Sequence, residues 1–155
     1  MRRTSEFAID AEIAWQEVLK PRLLDFVAYP MLRFEYLDPA TRPAIWNPGN
    51  YLVDMRVLGL IPFGTQVIGI EIPDDTGAVR QLRDNGHSRL IRTWDHRVMV
   101  EPLGYGRCRY TDEIHVQAGL LTPFIWMFAW IFYRHRQRRW KKLIAAGFDY
   151  SADGV

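Results

Sequence analysis

Residues 89–117 read RLIRTWDHRVMVE, PLGYG, RCRYTDEIHVQ, and the alternation in this stretch decides the fold. In residues 89–101, Leu90, Arg92, Trp94, His96, Val98 and Val100 fall on one side, against Arg89, Thr93, Asp95, Arg97 and Glu101. In residues 107–117, Cys108, Tyr110, Asp112, Ile114 and Val116 oppose Arg107, Arg109, Thr111, Glu113 and His115. A period of two marks a strand with one buried face. Residues 102–106 are short enough to close a hairpin between them. Opposed residues of an antiparallel pair share a face, so paired numbers must sum to an even value. A five-residue loop pairs Glu101 with Arg107. It then sets His96 opposite Asp112, Trp94 opposite Ile114 and Val98 opposite Tyr110.

Upstream, the same signal recurs more briefly. Residues 5–9 can form a first strand with Phe7 and Ile9 on one face. Asp10 then suits a helix N-cap, and a helix over 11–19 turns Ile13, Ala14, Val18 and Leu19 inward. Pro21 cannot continue that helix but is welcome at the start of another, which runs to Tyr29. Strands are expected at 31–37, at 51–58 (Tyr51, Val53, Met55 and Val57 on one face), at 65–72 (Gln66, Ile68, Ile70 and Ile72) and at 79–83. Turns separate them at 59–64 (GLIPFG), at 73–77 and at Asn85-Gly86.

Downstream, Thr122-Pro123 reads as an N-cap and first helical residue. A long helix follows to about Ala146, stopped by Gly147. Its first half, from Phe124 to Tyr133, is apolar all round. Beyond Arg134 only the stripe of Tyr133, Gln137, Trp140 and Ile144, with Leu143 beside it, is apolar. Residues 149–155 are expected to fray.

This order of elements defines an α+β domain over residues 1–148: a curved antiparallel sheet of six to seven strands, two short helices after the first strand, and a long C-terminal helix. A bent sheet leaves a concave apolar face, and the last helix is the one element long enough to cover it. In this the chain resembles the START-like (SRPBCC) helix-grip superfamily of lipid-transport and polyketide cyclase/dehydratase proteins. The resemblance is carried by Ala11 and Trp15, Trp46 and Gly49, Leu58-Gly59 with Pro62-Phe63-Gly64, Trp94-Asp95-His96, Tyr110-Thr111-Asp112 and the closing helix. It implies a cavity between sheet and helix for a hydrophobic small molecule or lipid, and it implies no particular reaction.

Composition narrows the rest. The chain has 155 residues, with six Trp and eight Phe, enough large rings to fill a core or line a pocket. Its one cysteine, Cys108, excludes an internal disulfide and reads as a small apolar residue. No apolar h-region follows Arg2 and Arg3, so no signal peptide is expected and cytoplasmic residence is the default. The net charge of +2 hides a basic run, Arg134, Arg136, Arg138, Arg139, Lys141 and Lys142, on a mildly acidic remainder. Without helix-turn-helix, zinc-finger or RNP-type patterns, that run reads as a solvated helix face rather than a nucleic-acid site. The four histidines show no HxH or HExxH spacing, and no Gly-rich phosphate loop is present, so neither metal nor cofactor is expected.

The candidate site follows from parity. His96 and Asp112 share the inner face, either as a satisfied polar pair in the wall or as a carboxylate-oriented general base. The first is favoured. Arg92 faces the same way and could meet a ligand carboxylate, Asp84 or Asp112. Tyr51, Met55, Ile68, Ile70, Trp94, Val98, Tyr110, Phe63, Trp130 and Tyr133 are the expected ligand-lining residues, with the apolar turn containing Phe63 at the mouth. The leading expectation is a binding protein. The alternatives are a cyclase/aromatase- or dehydratase-like enzyme using His96 and Asp112, and a module acting through the last helix. Residues 119–133 span about fifteen positions, too few to cross a bilayer. Their outward face suits a homodimer first and peripheral membrane contact second.

Overall fold

The computed structural model describes residues 1–73 and 77–151. Strand β1 (Arg2–Phe7) leads into helices α1 (Ala11–Val18) and α2 (Pro21–Ala28). Strands β2 (Leu32–Tyr36), β3 (Gly49–Val57), β4 (Ile61–Glu71), β5 (Arg80–Ser88), β6 (Thr93–Gly104) and β7 (Arg107–Gln117) follow, and helix α3 (Thr122–Ala145) closes the chain. The seven strands form one antiparallel sheet in the order β1-β7-β6-β5-β4-β3-β2. The α+β helix-grip architecture expected from the sequence is present.

Local chemistry explains the boundaries. Asp10 caps α1 by accepting from the Glu12 N–H at 2.8 Å. Pro21 opens α2. Gly147, at φ 62°, ends α3 in the left-handed conformation that glycine adopts without strain. Thr122 does not cap α3 as expected, because it is already helical. Its hydroxyl instead donates to the Gly119 carbonyl and accepts from the Ala118 N–H, tying off the β7–α3 connection. Ile13 is half exposed rather than inward, and Trp15 is buried in its place.

Two expected turns move. The turn read at 59–64 contracts to Leu58-Gly59-Leu60, and Ile61 already begins β4. Asn85-Gly86 is not a turn but the interior of β5. At Gly86 a Cβ would lie 2.8 Å from the Val67 carbonyl, so this glycine serves a close strand approach. The reversal falls instead at 89–92, which removes Leu90 and Arg92 from the inner face. The turn expected at 73–77 lies largely outside the described residues.

The β6–β7 hairpin keeps its parity and changes its register. Glu101 pairs Arg109, not Arg107, and His96 pairs Ile114, not Asp112. Trp94 meets Val116, Val98 meets Asp112 and Val100 meets Tyr110. The strands continue to a two-residue turn, Tyr105-Gly106, with φ 53° and 67°, and an irregularity between Pro102 and Gly104 absorbs the extra residue. Every sum along the regular ladder stays even, so the same side chains face inward.

Packing beneath α3 is uneven along its length. Toward its C-terminus, Trp140 and Leu143 meet Phe7, Tyr110, Val100 and the rings of α1 and α2. Tyr150 is docked there too, with its ring 5.5 Å from Phe26 and its hydroxyl on Glu17, so the tail expected to fray from 149 is held at this residue. Toward the N-terminus of α3 the core thins around Ala129, Phe132 and Tyr133.

Candidate functional site

Antiparallel topology brings three connections to one end of the molecule: the β3–β4 turn, the β5–β6 reversal and the β7–α3 link. Beneath them lies a cavity of about 260 Å³ between the sheet and the first half of α3. Its side walls are apolar, with Met55, Phe63 and Ile68 from the sheet and Ile125, Phe128 and Phe132 from the helix. Its floor is polar. Gln66 on β4, Asp84 on β5, His96 on β6 and Arg136 on α3 converge there.

Behind that floor sits the Asp112 carboxylate, fully buried. Its Oδ1 accepts from His96 Nε2 at 2.8 Å and from the Tyr110 hydroxyl at 3.0 Å, and its Oδ2 accepts from Gln137 Nε2 at 2.9 Å. The Arg136 guanidinium lies 3.4 Å from Oδ1 through Nε and donates from Nη2 to the Tyr110 hydroxyl at 3.2 Å. Burial works to raise the Asp112 carboxyl. The His96 hydrogen bond, the Arg136 charge and the Gln137 amide outweigh it and hold the group below the usual carboxylate range. Burial also depresses His96, against the pull of Asp112, so the imidazole is neutral and gives its Nε2–H to the carboxylate. Arg136 and Asp112 cancel each other's charge.

Asp84 differs. Its Oδ1 accepts from the Gly69 backbone N–H at 2.9 Å, and burial pushes its carboxyl up to about 7 despite that bond and the nearby Arg136. Gln66 is 6% exposed, and its Oε1 has no hydrogen-bond partner among the described residues.

The expected site residues separate into groups. Met55, Ile68, Phe63, Trp94, Tyr133 and His96 line the cavity. Asp112 and Tyr110 stand one layer behind it. Ile70 and Val98 lie in the solid core, and Tyr51 packs on Trp46 with its hydroxyl on the Asn47 carbonyl. Trp130 points outward, 45% exposed beneath the Arg134 guanidinium, because it lies a third of a turn from the inward row of Ala129, Phe132, Tyr133 and Arg136. Arg92 is exposed in the β5–β6 reversal, off the inner face of the sheet, and pairs with neither Asp84 nor Asp112.

Arg136 occupies that place instead. It was hidden in the basic run, yet its spacing of three from Tyr133 and four from Trp140 puts it on the apolar stripe. A basic residue on a buried stripe was the available signal. Asp84 had a similar signal, standing two residues from Leu82 on the inner face of β5.

Residues 5–144 match a protein family described as a domain of unknown function, DUF8410. The chain belongs to DUF8410. Among curated proteins no relative matches the sequence of this DUF8410 chain. Solved structures resemble its fold. A conserved protein from Geobacillus kaustophilus shares 15% identity at a TM-score of 0.57, covering 94% of each chain. A START superfamily protein from Mycobacterium smegmatis shares 17% at 0.56, covering 94% of this chain and 97% of its own. The Zhui aromatase/cyclase from a Streptomyces species shares 15% at 0.54, covering 100% and 98%. At such identities the likeness shows the START-like fold of this DUF8410 member and nothing finer. Among its described residues no helix is long and apolar enough to cross a membrane, and no group of three His, Cys, Asp or Glu is placed to hold a metal.

Proposed function

We propose that this protein binds a small hydrophobic molecule in the cavity under α3. The observation that carries the reading is an apolar chamber with a few polar groups gathered at one end, the usual make-up of a ligand site. Apolar cavities of roughly 150 Å³ accept benzene. A space of about 260 Å³ therefore suits a two-ring guest, and a longer lipid would need the mouth to open. Burying about 200 Å² of such a guest is worth about 5 kcal/mol before the entropic cost of association is subtracted.

A naphthylamine dye that brightens in apolar surroundings tests the reading. Binding to the wild type with competition by unlabelled aromatics is the expected result, and Met55→Trp, which plants a ring in the chamber, should abolish it. Equal dye binding by both proteins would place the site elsewhere and end the proposal. Native mass spectrometry of the purified protein then identifies any guest that travels with it.

The second reading is a cyclase- or dehydratase-like enzyme. It is favoured by one feature, the His96 imidazole held by Asp112 with Nδ1 free to act as a base. Arg136, not Arg92, would then polarise a carbonyl. Replacing His96 by Gln separates the two readings: a carrier retains its guest, whereas an enzyme loses turnover by two to four orders of magnitude.

A further inference from the structure

The polar floor also carries information about the guest's head group, provided the cavity is the ligand site as read above. An arginine in an apolar pocket ordinarily invites a carboxylate. Here its charge is spent, because Asp112 lies 3.4 Å from its Nε and Tyr110 takes its Nη2. A second carboxyl, Asp84, then faces the same chamber without a cation of its own.

Hydrogen-bonding capacity points the same way. Three acceptors on cavity-lining residues have no protein donor among the described residues: Gln66 Oε1, the Oδ2 of Asp84, and the Nδ1 of His96. On the same wall, Arg136 Nε has no hydrogen-bond acceptor among the described residues, and the amide nitrogen of Gln66 can also donate. A head that both donates and accepts, and carries no charge, satisfies this wall. A carboxylate accepts only, and it would sit beside Asp84 and Asp112.

We propose that Asp84 sets the head-group specificity of the cavity, admitting apolar molecules with a neutral hydroxyl or phenol head and turning away carboxylates. The groups that bear on Asp84 are Arg136 and Tyr133 on α3, Asp95 from the outer face of β6, and His96, its cross-strand partner on β6, with Tyr110 and Asp112 on β7 in turn touching Arg136 and His96. Of these, His96 is already neutral and Asp112 already charged near neutrality. Asp84, held up to about 7, is the group that changes state. An anionic guest must therefore bring a proton onto Asp84, whereas a phenol need not.

A naphthol and the matching naphthoate, titrated into the full chain at about pH 6 and about pH 8, give the test. The naphthol should bind equally well at both values. The naphthoate should bind on the order of tenfold more weakly at the higher one, as expected for obligatory proton uptake by a single group. Asp84→Asn keeps the acceptor for Gly69 and should erase that dependence, bringing the naphthoate to within a few-fold of the naphthol. Naphthoate binding to the wild type at the higher pH as tight as naphthol binding would overturn the specificity role and leave the cavity reading intact. Should the naphthoate lose affinity equally in wild type and Asp84→Asn, the role of Asp84 falls as well. If neither molecule binds at either pH, the cavity reading fails and the specificity role with it. The wild-type arm stands even if the variant does not fold.

Discussion

The two ends of the space between α3 and the sheet are built from the same two elements and come out differently. Under the C-terminal half, Trp140 packs tilted against Phe7 and edge-on against Tyr110 at 5.4 and 5.9 Å, and α1 and α2 seal the sides. Under the N-terminal half Ile125, Phe128 and Phe132 border a chamber that no side chain fills, while Phe124, Trp126, Met127 and Ile131 are exposed. Between the two lies the polar layer of Gln66, Asp84, His96, Asp112 and Arg136. The solid end supplies the stability that lets the other stay open. A cavity lined by rings costs dispersion contacts, and the molecule carries that cost at one end alone.

The contrast can be broken first at the polar layer and the solid end. Asp112→Ala removes the carboxylate 3.4 Å from Arg136 and leaves a buried guanidinium without its ion pair. A loss of about 3–5 kcal/mol in denaturant unfolding is expected. Trp140→Ala, at 0% exposure, should cost a similar amount, about 3–5 kcal/mol. A loss below about 1 kcal/mol for either would mean that the packed end is not what holds the fold.

A smaller effect is expected at Asp84, and its sign is fixed by the direction of the shift. Its folded carboxyl is held up to about 7 from an ordinary 3.8. The neutral form stabilises the fold fully below about pH 4, and that contribution is lost as pH rises to about 7. Asp84→Asn should therefore leave stability unchanged in acid and raise it by roughly 2–4 kcal/mol above neutrality. Paired thermal melts across this range measure the difference; a variant less stable than the wild type at high pH would contradict the buried environment assigned to this group.

At the hollow end the effects on stability should shrink while those on binding grow. Phe124→Ala, 66% exposed at the mouth, should cost under about 1 kcal/mol yet weaken dye binding several-fold. Trp130→Ser, on the outer face of α3, should change stability by less than about 0.5 kcal/mol and leave dye binding alone. Sedimentation of that variant beside the wild type sharpens the comparison, since a change in mass would show that the outer apolar rows pair with a second copy.

The sequence by itself determined the element order and which residues of β6 and β7 face inward. Alternation in β6 and β7 fixes parity, a one-residue slip would expose the whole face, and the Pro and Gly signals bound the helices. It placed His96 and Asp112 on one face and made them partners through a wrong register; the pair forms diagonally, His96 lying opposite Ile114 while its Nε2 still reaches the carboxylate. Absolute register, the fate of Asn85-Gly86 and the exposure of Arg92 were decided by tertiary structure, because turn propensity is local while strand pairing is enforced by neighbours on both sides. Arg136 and Trp130 show the same limit on the helix. In a segment apolar all round composition cannot say which row faces the sheet, and in one basic nearly throughout only the spacing from Tyr133 and Trp140 marks Arg136. The choice belongs to the packing of the sheet beneath, which buries Arg136 where Asp112 waits and leaves Trp130 to solvent.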